Sequence, residues 1–195
     1  MARGQSRVEA AIREEVTIAP SDFRWPEIFR SEAAHLRASI PKRLILRIEH
    51  FGSTAIPGLA AKPIIDMLVE VSSLRAARTE IAPILRSEGY DYFWRPTFGS
   101  DVRPWYPFFI KRAKSGTRTH HIHMITRHRI FREHWERLLF RDYLIAHPPL
   151  ARDYERLKMD LSAAHPADRV AYSRGKSAFI SRVMVKVASV PKRGG

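Results

Sequence analysis

The chain reads as an α/β (α+β) domain: a mixed β-sheet backed by helices, with further helices gathered at its C-terminal end. Segments rich in Ile, Leu and Val alternate with helical ones as far as Thr126, and helical spacing alone follows. Size agrees. A chain of 195 residues suits one domain, and folding should bury roughly 70% of the surface that the unfolded chain exposes.

Residues 1–18 mix charge with small apolar side chains and read as an N-terminal arm, either loosely helical or ordered. The domain proper is expected over residues 19–188, with a flexible C-terminal tail at 189–195. Ser21-Asp22-Phe23-Arg24-Trp25-Pro26 reads as a helix start, with Ser21 or Asp22 near the cap and Pro26 in the first turn. Ile28, Phe29, Ala33 and Leu36 follow at helical spacing, and Pro41 ends the run. Leu44 to Phe51 and Pro63 to Val71 are strand-like, joined by a segment with turn residues at three places. Ser73 to Glu88 is expected as one helix with Leu74, Ala77, Ile81 and Leu85 on its inner face, closed by Gly89. Pro107 to Arg112 and Arg118 to Thr126 read as strands joined by a hairpin around Ser115-Gly116. Phe131 to Lys158 is helical with a break at His147-Pro148-Pro149, and Arg169 to Ala188 is a last long amphipathic helix.

Composition narrows the chemistry. Hydrophobic residues at 45% and charged ones at 28% are a soluble globular mixture. With no cysteine, disulfides, thiolate metal sites and thiol nucleophiles are all closed. No apolar run approaches the about 20 residues that a membrane-spanning helix needs, and Met1 to Glu15 has no signal-like apolar stretch. The cytoplasm is the expected location, with no membrane partner. A formal charge of +14 draws phosphate-bearing molecules to the surface. Nucleic acid has only this charge in its favour, because the chain lacks a Lys/Arg block, an aromatic RNA-binding signature or a zinc module.

The most informative stretch runs from His50 to Val71. A Gly52-Ser53-Thr54 turn leaving a strand can present backbone N–H groups and hydroxyls to a phosphate, since glycine lets the backbone approach closely. The next strand carries Asp66, 13 residues after Ser53. Alternation puts Ile64, Asp66, Leu68 and Glu70 on one face and Ile65, Met67, Val69 and Val71 on the other. An aspartate in so apolar a strand is costly unless it is paired or holds a cation; a loop-capping structural role is the plainer alternative.

The wording of this stretch, Glu49-His50-Phe51-Gly52-Ser53-Thr54-Ala55-Ile56-Pro57-Gly58-Leu59-Ala60-Ala61-Lys62-Pro63-Ile64-Ile65-Asp66, closely resembles the hallmark of the GrpB family. The likeness continues through Arg118-Thr119-His120-His121-Ile122-His123, Phe140-Arg141-Asp142-Tyr143-Leu144, Tyr154-Glu155-Arg156-Leu157-Lys158 and Tyr172-Ser173-Arg174-Gly175-Lys176. It covers about residues 19–188. The resemblance implies a polymerase-β-like nucleotidyltransferase fold, shared with a module fused to some dephospho-coenzyme A kinases. In working nucleotidyltransferases the Gly-Ser loop holds a triphosphate, and a strand offers two carboxylates in Asp-x-Asp or Asp-x-Glu. Gly52, Ser53 and Asp66 match the loop and the first carboxylate, but Leu68 stands at the second. Two catalytic metals sit about 3.5–4 Å apart and need several anionic oxygens. Glu70 is four residues along the strand from Asp66, roughly 13 Å, and cannot stand in. Asp66 alone could still hold one Mg²⁺ or Mn²⁺ with help from substrate phosphates.

His121 and His123 lie one strand period apart and share a face. If their strand borders that of Asp66, the three could form a two-His, one-carboxylate site for Zn²⁺, Mn²⁺ or Fe²⁺; for the protein as a whole Mg²⁺ or Mn²⁺ is expected ahead of Zn²⁺. A phosphate-binding or acid–base histidine is the open alternative, and His123 joins Asp66 as a candidate catalytic residue. Arg118, Lys62, Lys158 and Lys176 are candidate phosphate ligands together with Gly52, Ser53 and Thr54, although a solvated helix face explains lysines equally well. His50 reads as a core histidine with a satisfied hydrogen bond, Arg141–Asp142 as an internal ion pair, and Trp25, Trp94, Trp105 and Trp135 as packing.

Three functions follow. One is a nucleotidyltransferase-like enzyme binding a nucleotide or other phosphorylated small molecule at Gly52-Ser53 and Asp66. Another is a non-catalytic nucleotide-binding or regulatory module. The last is a metal-dependent hydrolase using His121, His123 and Asp66.

Overall fold

The computed structural model describes residues 15–96 and 104–189. Most of the 1–18 arm and of the 189–195 tail lies outside them. Of the arm, Val16 is buried and its N–H donates to the Pro166 carbonyl at 2.8 Å. Ala19 forms a two-way backbone bridge with Ala61.

A five-stranded mixed sheet organises the chain, in the order β1-β2-β5-β4-β3. Its strands are β1 (Ile45–Phe51), β2 (Ile65–Val71), β3 (Asp91–Pro96), β4 (Trp105–Arg112) and β5 (Arg118–Ile125). All neighbours pair antiparallel except β2 and β5, which run parallel at the centre. β2 is covered on both faces, and Met67, Leu68 and Val69 are fully buried; such a central strand reads as a nearly continuous apolar run. β3 escapes the sequence reading because it is an edge strand whose Asp91 to Arg95 are all half-buried, which leaves no alternation to detect.

One face is covered by α1 (Trp25–Ser39) and by α2, which runs in three parts, Leu74–Ala76, Ala77–Ile81 and Ala82–Ser87. Pro26 in the first turn, Glu27 at the start and Arg37 at the end all favour α1. Its cap is Arg24, not Ser21 or Asp22; the Asp22 carboxylate accepts from the Arg24 N–H at 2.8 Å. Ile28 faces solvent, and the buried stripe is Trp25, Glu32, Ala33 and Leu36. The middle part of α2 is a π-helical turn, so this helix is not uniform as expected. Leu36, Met67, Ile81, Leu85, Phe109 and Ile122 meet in this core, each contributing roughly 1.5–3 kcal/mol by leaving water.

On the other face lie α3 (Arg132–Ala146), α4 (Pro148–Ala164), α5 (Arg169–Gly175) and α6 (Ser177–Ser189). The single last helix of the sequence reading is thus broken, after Gly175. A Cβ at Gly175 would sit 2.3 Å from Leu161 Cδ2, so α5 packs against α4 more closely than any larger residue permits. α3 closes a core with Phe51, Leu68, Phe108 and Phe131. A third core joins Ile56 and Leu59, from the segment after β1, to Leu144, Tyr154, Phe179 and Val183 of the C-terminal helices. No helix among the described residues is long and apolar enough to cross a membrane.

Candidate functional site

Phe51 at the end of β1 pairs with Asp66 near the start of β2. The next residue, Gly52, has φ +74°, and a Cβ there would lie 2.5 Å from Asp66 Oδ2. Only glycine lets the turn lie against this carboxylate. A short 3₁₀ turn, Ser53–Ala55, follows. Thr54 is spent on holding it: its hydroxyl donates to the Ile64 carbonyl at 3.2 Å and takes the His50 Nε2 proton at 3.0 Å. Burial lowers the His50 pKa to about 4, so this ring is a neutral donor, stacked on Phe29 at 4.8 Å. Ser53 bonds the hydroxyl of Tyr154. Arg141 pins the strand end by donating to the His50 carbonyl at 2.5 Å and to Glu49 at 3.3 Å, besides its pair with Asp142 at 2.7 Å.

The parallel pairing of β2 with β5 sets His121 directly beside Asp66. The His121 Nδ1 lies 3.1 Å from Asp66 Oδ1, and its Nε2 faces Arg118 Nη1 at 3.3 Å. A guanidinium can only donate. Nε2 therefore accepts, and Nδ1 carries the proton that it gives to Asp66. Burial lowers the His121 pKa against the pull of Asp66. For Asp66, burial raises the pKa, but the His121 hydrogen bond and the charges of Lys62 and Lys176 outweigh it and hold the carboxyl below its usual range. The pair is a neutral imidazole and an ionised carboxylate, and Asp66 keeps 29% of its side chain exposed.

Two lysines converge from separate elements. Lys62 Nζ lies 4.9 Å from the centre of the Tyr172 ring, and Lys176 Nζ lies 4.5 Å from the same point. Burial and mutual repulsion lower Lys62 to about 7; burial lowers Lys176 to about 8, against the attraction of Asp66. Lys158 differs. It is fully buried, donates to the Ala60 carbonyl and stacks 5.2 Å from the Tyr154 ring. Glu155 takes the Ala60 N–H at 2.7 Å, so α4 holds the peptide groups on both sides of Ala60. Lys158 shapes the loop and does not join Lys62 and Lys176 on the Tyr172 ring.

His123 shares the face of His121, and Phe108 lies against both rings, at 5.4 Å from His121 and 4.8 Å from His123, but their polar partners differ. The His123 Nδ1 hydrogen-bonds the Tyr106 hydroxyl at 3.0 Å, and its ring is packed among Phe51, Tyr106 and Phe108. Burial drives its pKa well down. His121, His123 and Asp66 are not brought together, and no group of three His, Asp or Glu side chains that could hold a metal occurs among the described residues. Leu68, at the second carboxylate position, is fully buried and apolar in its contacts. One carboxylate ringed by cations does not fit a two-metal centre.

The family model described as GrpB protein matches residues 15–186. The chain belongs to the GrpB family. It is 38% identical over 172 residues to a UPF0157 protein of Pseudomonas aeruginosa, covering 87% of this chain, and 37% identical to the UPF0157 protein YqkA of Bacillus subtilis, covering 86%. The matched segment spans 66% of the first relative's length and 46% of the second's. A dephospho-CoA kinase of Mycobacterium bovis is 28% identical, with 82% of this chain and 42% of the kinase aligned. The crystal structure of the conserved protein GrpB from Enterococcus faecalis superposes with a TM-score of 0.74 at 33% identity, covering 88% of this chain and 96% of that one.

In this GrpB chain the sequence motifs around Tyr154 and Tyr172 turn out to supply the walls of the site, roles that the sequence reading left unassigned. A signal for them exists: Tyr154 and Lys158, and Tyr172 and Lys176, are each four residues apart, the spacing that lays a side chain over its neighbour on a helix.

Proposed function

We propose that this GrpB chain binds a nucleotide or other phosphorylated small molecule in a nucleotidyltransferase-like cleft at the Gly52-Ser53 turn and Asp66. The observation that carries this reading is the contact between the Gly52 backbone and an ionised carboxylate oriented by His121. A turn held against a carboxylate can accept phosphate oxygens on its backbone while Asp66 takes a hydroxyl proton of the ligand or acceptor. The family resemblance supports the same choice of ligand. A second reading, binding without group transfer, is favoured by Leu68, because phosphoryl and nucleotidyl transfer lean on charge neutralisation that a second carboxylate and its metal would supply.

The test is thermal unfolding of the purified chain with ATP, ADP, AMP, coenzyme A and its dephospho form, with and without Mg²⁺ or Mn²⁺. A ligand at a hundred times its Kd stabilises by about 2.7 kcal/mol, a readily measured rise in Tm. No shift with any phosphorylated ligand under either condition would remove the reading. With a ligand in hand, pyrophosphate or nucleotide-product release separates transfer from binding, and loss of release in Asp66→Asn assigns the proton acceptor.

A further inference from the structure

Some buried charges of the fold are met by opposite charges, and among the described residues two half-buried lysines have no polar partner at all. Glu32 is met by Tyr90 and Lys111, and Arg141 by Glu49 and Asp142. Lys62 and Lys176 have no ion pair or hydrogen bond among the described residues, although both are half-buried. They arrive from different places, Lys62 from the segment before β2 and Lys176 from the break between α5 and α6. That break follows the Gly175–Leu161 contact, and it carries Lys176 onto the Tyr172 ring, where Lys62 already rests. Two ammonium groups sharing one aromatic ring repel each other, and the ring's attraction is weaker than a paired carboxylate's. Asp66 adds a single negative charge to this neighbourhood, and it is already engaged by His121.

We propose that Lys62 and Lys176, set on the ring of Tyr172, are the phosphate-binding groups of the cleft and take a ligand with at least two adjacent negative charges, a diphosphate, without a bridging divalent cation. This rests on the phosphorylated-ligand reading above and specifies how the charge is held. The anion supplies the counter-charge that the fold withholds, and its binding draws protons onto both amines. Around Lys62 stand Lys176, Arg169, Asp66 and Arg118; around Lys176 stand Asp66 and Arg137. Of these only Asp66 opposes the positive charge. Affinity is therefore highest near and below pH 7 and falls as pH rises through 7 to 8, where the free amines lose their protons.

Calorimetric titration with inorganic pyrophosphate, in EDTA and again in Mg²⁺, tests the proposal on the wild type and on Lys62→Met, Lys176→Met and Asp66→Asn. Binding in EDTA is expected, weakened about ten- to a hundredfold by either lysine variant, as loss of one charge-assisted contact implies. Asp66→Asn separates the lysine contribution from the carboxylate's, because it removes the carboxylate charge and leaves both amines on the Tyr172 ring. Ligand-free melting checks the fold, and both lysine variants should melt no lower than the wild type, since each relieves the repulsion. Binding that needs Mg²⁺ and vanishes in Asp66→Asn would overturn the lysine cradle while leaving the phosphorylated-ligand reading intact. Wild-type affinity in both lysine variants would do the same. A chain that binds neither pyrophosphate nor any nucleotide under either condition loses both proposals together.

Discussion

Two carboxylates lie on opposite faces of the same sheet, and the molecule treats them in opposite ways. Glu32, on the α1 side, keeps 3% of its side chain exposed. One of its oxygens accepts the Tyr90 hydroxyl at 2.5 Å, the other accepts Lys111, and Lys111 in turn lies 5.3 Å from the centre of the Tyr90 ring. Every partner is spoken for. Asp66, on the side of the C-terminal helices, gives one oxygen to His121 and presses the other against the Gly52 backbone. The lysines nearest to it stay apart on an aromatic ring. A closed set of charges holds a fold together; an open one, with cations in excess of anions, is a place for something to bind.

The contrast can be broken first where the fold depends on it most. Glu32→Ala strips the Tyr90 hydroxyl and Lys111 of their shared acceptor and should cost about 1–3 kcal/mol, read by urea unfolding, with ligand affinity per folded molecule unchanged. Gly52→Ala comes next. A positive φ costs alanine about 1–2 kcal/mol, and the new Cβ must also push Asp66 aside. This variant should lose both stability and ligand binding, which separates it from Glu32→Ala. An undisturbed affinity in Gly52→Ala would mean that the turn takes no part in the site.

A third effect is a pH dependence. In the folded chain Lys62 releases its proton at about 7 and Lys176 at about 8, whereas in the unfolded chain both hold it to near 10.5. Between those limits the unfolded state binds more protons, so stability rises with pH. Below pH 7 the full cost of the charged amines is present. Ligand-free Tm should climb between pH 7 and 9, and Lys62→Met and Lys176→Met should flatten that climb. An unchanged slope in both variants would show that the two amines are not perturbed.

Much of this was legible beforehand. The alternation of Ile65, Met67 and Val69 against Asp66 and Leu68 assigned the two faces of β2, and they pack as that pattern requires. The adjacency of His121 to Asp66 followed once β5 was placed beside β2. Sharing a face proved a weaker constraint than it looked. Along one strand period the polar partners change from Asp66 and Arg118 at His121 to Tyr106 at His123, although both rings touch Phe108. Lys62 and Lys176 were both expected to bring positive charge to the site, and the four-residue spacing of Tyr172 and Lys176 is visible in the sequence; their meeting on one ring was not, because Lys62 arrives from a separate element. The edge strand β3 was missed for a related reason: its environment, not its residues, decides that it pairs.

The clamp on Ala60 has a temporal side. Lys158 and Glu155 grip a peptide 98 and 95 positions earlier in the chain. At a synthesis rate of about 5–20 residues per second, the Gly52 turn waits roughly 5–20 s on the ribosome before the helix that shapes it has been made. The segment that carries Gly52 and Asp66 is unassembled throughout that interval, and the clamp forms only once the helix bearing Glu155 and Lys158 has been made.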